Sequence, residues 1–124
     1  MTRYLSLATV LAGAEVILGP APGVRDVGLL DSAIGRPAAS AFGADAYPTI
    51  WEKAAALLHS IVSGHPFVDG NMRMGWAACV VFLELNGEEL HHTEDDAFEL
   101  VMAVAAGELA DVPKIAERLE GFCR

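Results

Sequence analysis

His65-Pro66-Phe67-Val68-Asp69-Gly70-Asn71-Met72-Arg73 runs straight into Met74-Gly75-Trp76-Ala77-Ala78-Cys79-Val80-Val81-Phe82-Leu83, and the join between the two sets the architecture. The second half is apolar around the whole helical wheel, the pattern of a central helix packed on every side. It is far shorter than the ~20 apolar residues that span a bilayer. The first half is a tight polar loop, with Pro66 and Asp69-Gly70 as turn residues. A buried helix needs other helices to cover it, and the flanking sequence supplies them.

Upstream, Pro48 opens a helix that runs to about Ser63, with Ile50, Ala54, Leu57, Leu58, Ile61 and Val62 as its apolar stripe. Glu52, Lys53, His59 and Ser60 form its wetter side. Before it, Asp26 caps a short helix, Val27 to Gly35, closed by Arg36-Pro37 and followed by a small-residue loop, Ala38 to Ala46. The first helix runs from about Arg3 to Leu18 and stops at Gly19-Pro20. Its start resembles a secretory leader, but it has one basic residue and Ser6 and Thr9 interrupt the apolar run. Downstream of Asn86-Gly87, Glu88 to His92 reads as a short extended segment, one arm of a small hairpin. Thr93 caps a helix to Ala106, and Asp111 with Pro113 opens a last one to about Phe122. The sum is a single all-α domain, residues 1–124, of five or six helices around a buried central helix.

Composition agrees. The 124 residues are 53% hydrophobic, enough for a core without staples. Cys79 and Cys123 form no disulfide framework, which points to a reducing, cytoplasmic setting with Cys79 in the core. Against 8 Lys and Arg stand 17 Asp and Glu, a net charge of -9, which disfavours binding nucleic acid through its phosphates. The excess is local: Arg73 to Lys114 encloses nine acids and no base. That stretch is a solvated face or a landing site for a basic partner.

The loop carries the chemistry. A helix start offers free N–H groups with partial positive charge, a natural anion site. Gly70 permits close approach, Asn71 can cap the helix or bond a phosphate oxygen, and Arg73 can grip a phosphate bidentately. Asp69 is a hard oxygen ligand suited to magnesium, and His65 can take a proton near neutral pH. Each residue alone is ordinary. Together they hold the parts for phosphoryl or nucleotidyl transfer. His91-His92 does not make a metal site, because adjacent residues do not share a helix face.

The same segment resembles the Fic/Doc signature, His-x-Phe-x-Asp/Glu-Gly/Ala-Asn-x-Arg, at His65, Phe67, Asp69, Gly70, Asn71 and Arg73. Gly28-Leu29-Leu30-Asp31-Ser32-Ala33-Ile34-Gly35-Arg36-Pro37 is similar to a stretch common in its Doc (death on curing) toxin branch. The resemblance implies an enzyme that binds ATP and Mg2+ and, in that branch, moves the γ-phosphate to a threonine of elongation factor Tu, arresting translation. It implies His65 as general base, Asp69 as metal holder, and Gly70, Asn71, Met72 and Arg73 along the phosphates. Phe67 would anchor the loop in the core. AMP-transferring relatives usually have Gly at Met72 and a second Arg at Trp76, and kinase relatives have Lys at Met72. The alternatives are therefore an AMP or nucleotidyl transferase, and a weakened homologue that acts by binding its antitoxin. The restraining Ser/Thr-x-x-x-Glu-Gly/Asn pattern is missing, since Ala116 precedes Glu120-Gly121. The resemblance thus implies restraint by a separate antitoxin, such as one of the Phd type, and no membrane or nucleic-acid partner.

Overall fold

In the computed structural model, which describes residues 1–123, four of the six helices begin where small polar side chains close their first turns. Ser6 accepts from the Thr9 N–H and starts α1 (Leu7–Leu18); Asp26 accepts from Leu29 and starts α2 (Val27–Gly35). Thr49 does the same for α3 (Ile50–Gly64) through Glu52. Between α2 and α3 lie a 3-10 turn (Arg36–Ala38) and a two-stranded antiparallel hairpin, β1 (Ser40–Ala41) and β2 (Ala44–Asp45). The chain continues with α4 (Asn71–Leu85), α5 (Glu94–Ala105) and α6 (Val112–Gly121). Thr93 and Asp96 form a reciprocal capping box at α5, and Pro113 sits in the first turn of α6. The fold is all-α, with six helices among the described residues.

Four expectations need correction. The first helix starts at Leu7, not Arg3, because the Asn86 side chain holds the Arg3 backbone at both its N–H (2.7 Å) and its carbonyl (2.9 Å). The hairpin lies at 40–45 rather than at Glu88–His92; the latter is held by two backbone bonds, Glu88 N–H to the Leu83 carbonyl (2.9 Å) and His91 N–H to the Phe122 carbonyl (2.7 Å). The helix most enclosed is α3. Its five consecutive residues Ala54–Leu58 are all buried, so every side of the helix is covered, and it touches α2, the 3-10 turn, α4, α5 and α6. The apolar run of α4 is instead open along one edge, with Val81 44% exposed.

The fourth concerns Lys53, which is buried rather than on the wet side. The hairpin folds over it. Its ammonium pairs with Asp45 Oδ2 at 3.0 Å and also donates to the Tyr47 carbonyl. A second cation, Arg36, ties the same region down: it donates to the Tyr47 hydroxyl (2.8 Å), Ser60 Oγ (2.9 Å) and His59 Nδ1 (3.0 Å). A guanidinium only donates, so His59 Nδ1 accepts and its proton sits on Nε2. Burial, and next the Arg36 charge, hold the His59 pKa below its ordinary value. Close packing of α3 on α4 depends on Gly75, where a Cβ would come 2.6 Å from Val62 Cγ2.

Candidate active site

α3 ends in His65, whose backbone adopts the left-handed conformation (φ 53°, ψ 54°) while its N–H still bonds the Ile61 carbonyl (3.2 Å). That conformation disfavours a side chain with a Cβ by roughly 1–2 kcal/mol. Arg25 offsets it. Its Nε donates to the His65 carbonyl (2.7 Å) and its Nη2 to the Gly64 carbonyl (3.0 Å), placing a cation on the negative end of α3. The stretch 23–26 braces the rest of the loop: Arg25 and Asp26 N–H groups donate to the Pro66 carbonyl, and Val68 N–H to the Gly23 carbonyl.

Phe67 is 1% exposed and anchors the loop in the core. Asn71 then closes the loop from inside. Its Oδ1 accepts the Phe67 N–H and its Nδ2 donates to the Phe67 carbonyl, both at 2.9 Å. Sequence reasoning places this side chain at the helix cap or on a phosphate. The structure instead spends both ends of its amide on Phe67, because the loop's own buried backbone needs partners. Gly70 follows at φ 80°, and a Cβ there would meet Leu18 of α1 at 2.4 Å.

These constraints leave α4 with an open end. No side chain caps it, unlike α1, α2, α3 and α5. The amides of Asn71, Met72 and Arg73 donate to no group in the described chain. The imidazole of His65 and the guanidinium of Arg73 are exposed and make no hydrogen bond or ion pair among the described residues. Asp69 Oδ1 accepts the Gly70 N–H (2.8 Å), and the carboxylate is otherwise open to solvent.

All of them face one cleft of about 570 Å³. That lies within the roughly 300–1,000 Å³ usual for ligand clefts. His65, Asp69, Gly70, Met72, Arg73 and Trp76 line it, together with Ala97, Phe98 and Val101 of α5. Trp76 is steadied edge-on by His92 (5.2 Å between ring centres) and Phe122 (6.4 Å). The arrangement can bind an anion at the α4 terminus and present an unengaged imidazole beside it.

Fit to a divalent cation can be judged from the donors. Among the described residues no three His, Cys, Asp or Glu side chains cluster to form a cage. Asp69 is the one carboxylate lining the cleft. One carboxylate plus substrate phosphates is a usual way for proteins to hold magnesium, so the site fits a cation that arrives with a nucleotide.

The family model described as the Fic/DOC family matches residues 4–83. The chain belongs to the Fic/DOC family. It is also similar to a protein named Toxin Doc from Mycolicibacterium smegmatis (strain ATCC 700084 / mc(2)155), at 46% identity over 123 residues, 98% of this chain and 95% of that one. The matched stretch includes the loop just described. Two contributors escape sequence reasoning: Arg25, a lone base before a helix cap, and the α5 wall, whose Ala97, Phe98 and Val101 read as ordinary helix positions. No helix among the described residues is long and apolar enough to cross a membrane.

Proposed function

We propose that this chain is the toxin of a toxin–antitoxin pair and transfers the γ-phosphate of ATP to a threonine hydroxyl of elongation factor Tu. The reading rests on the convergence of His65, Asp69, Arg73 and three unclaimed amides in one cleft. The relative named Toxin Doc supports it.

The geometry supports the following roles. The amides of α4 and Arg73 draw the phosphates to the helix terminus and stabilise charge that builds on the phosphoryl oxygens. Asp69 would hold the magnesium that accompanies the nucleotide, which neutralises phosphate charge. His65 accepts the threonine proton as that oxygen bonds to the γ-phosphorus, and the bond from phosphorus to the bridging oxygen breaks to release ADP. Asn71 acts through the loop: it fixes Phe67 and so the positions of His65 and Asp69 on either side. A separate antitoxin, of a kind that folds along the toxin, would restrain the activity.

ATP labelled on the γ- or the α-phosphate, incubated with elongation factor Tu, tests the proposal. Only the γ label should move to the protein, and His65→Ala should abolish transfer. Transfer of the α label would favour AMP transfer instead.

A further inference from the structure

A second cleft, of about 740 Å³, lies where α2, the 3-10 turn and the last turns of α3 meet, and it shares no lining residue with the first. Its polar side chains can all donate. Ser32, Arg36, His59, Ser60 and Ser63 line it, and no carboxylate does. Asp31, next to Ser32, is exposed and outside the lining. Arg36 is half-buried, yet it has no ion pair among the described residues. Its Nε and Nη1 are spent on the neutral groups of Tyr47, His59 and Ser60, which leaves both Nη2 protons without a partner there. A cation partly withdrawn from water is ordinarily paired. Its neighbours are unengaged too. Because His59 accepts at Nδ1, its Nε2–H is a donor, and it has no partner among the described residues. The hydroxyls of Ser32 and Ser63 make no hydrogen bond among them either, and Ser60 accepts from Arg36 while keeping its own proton to give. The nearby negative end of α3 is already covered, since Arg25 holds the Gly64 carbonyl.

We infer that this cleft is a second ligand site and that it takes a phosphate group, bound by the Arg36 guanidinium, the His59 N–H and the hydroxyls of Ser32, Ser60 and Ser63. An unpaired cation in a cleft without carboxylates selects an anion. Donors that come from three separate elements suit a tetrahedral oxyanion, which accepts in several directions, better than a planar carboxylate. The cleft is roomier than phosphate needs, and Leu29 and Ala39 add apolar lining. The same chemistry therefore admits inorganic phosphate or a small phosphate ester. The inference is independent of the phosphotransfer reading, because no residue of the first cleft takes part.

Side-chain nitrogen NMR of the full chain reads both clefts at once, through His59 in this one and His65 in the other. Inorganic phosphate, phenyl phosphate and acetate are each titrated at constant pH and ionic strength. The His59 signal should shift saturably with both phosphates and respond to acetate at least about tenfold more weakly. Tighter binding of phenyl phosphate assigns the site to an ester, and equal or weaker binding assigns it to free phosphate. Arg36→Ala would also release Tyr47 and Ser60, so the exposed serines are changed instead. Ser32→Glu/Ser63→Glu keeps every bond of Arg36 but brings two carboxylates to the cleft, and should weaken phosphate at His59 about tenfold or more while the His65 response stays. Arg73→Ala should do the reverse. A His59 signal that does not saturate, an equal response to acetate, a response lost in Arg73→Ala, or one unchanged in the folded double variant would each overturn the inference.

Discussion

Removing the Asn71 amide should damage the loop more than any change to its exposed residues. Asn71→Ala deletes two bonds at 2.9 Å and leaves the Phe67 N–H and carbonyl without partners in a buried setting. A buried backbone group left unsatisfied costs about 1–3 kcal/mol. Two such groups, with water admitted to the space vacated, set a loss of about 2–4 kcal/mol. For a domain of this size that is a fall in Tm of roughly 8–15 °C. Total stabilities of about 5–15 kcal/mol leave the variant folded at low temperature, so both stability and activity can be measured. Asn71→Asp should be no rescue, since a carboxylate can accept from the Phe67 N–H but cannot donate to its carbonyl. Urea unfolding gives the energy, and phosphate transfer at saturating ATP gives the rate. If Asn71 acts by positioning, the turnover falls in the folded variant while the KM for ATP changes little. A stability change within about 0.5 kcal/mol, paired with a large rise in that KM, would refute this reasoning and return the side chain to a phosphate.

Other consequences are equally specific. Met72→Lys places a cation in the cleft beside Arg73, so nucleotide binding by calorimetry should tighten and growth inhibition on expression should increase; no change in either contradicts a phosphate at that position. The depressed pKa of His59 means the unfolded chain takes up its proton first, so stability should decline as pH falls below about 6.5, and His59→Asn, which keeps an acceptor for Arg36, should flatten that slope in thermal melts. Burial pushes the Cys79 thiol far up, so a thiol reagent near neutral pH should label Cys123 alone in the native protein and both cysteines in denaturant. Asp45→Ala strands a buried ammonium, whereas Lys53→Met replaces it with an apolar chain of similar length; the first should be the more destabilising in urea, by about 1–2 kcal/mol given that Asp45 is 58% exposed.

Much of this was legible because the signals were local. Asp26 and Thr93 are small polar residues at helix starts, and the side chain of each closes its first turn, whereas Ser6 and Thr49 do the same without having been read as caps. The loop 65–73 was readable for the same reason: a helix start, a glycine and an arginine in fixed order describe an anion site before any tertiary contact is known. What escaped depended on partners distant in sequence. The hairpin has no β-branched residue, and its two-residue turn, Phe42-Gly43, takes positive φ at both positions with only one glycine to announce it. Lys53 looked wet because helical periodicity cannot register a hairpin that covers it. Asn71 was assigned to ligand because its residue type suits both tasks, and only the fold shows that Phe67 claims both ends of its amide. α4 looked central because its side chains are apolar all round, yet α3 is the helix the others surround.

The most direct measurement is the intact mass of elongation factor Tu after incubation with this chain, ATP and magnesium, followed by location of the modified residue. The account predicts a gain of one phosphoryl group on a threonine, with no gain when His65→Ala replaces the parent. A gain of AMP, or phosphorylation that persists in His65→Ala, would contradict it.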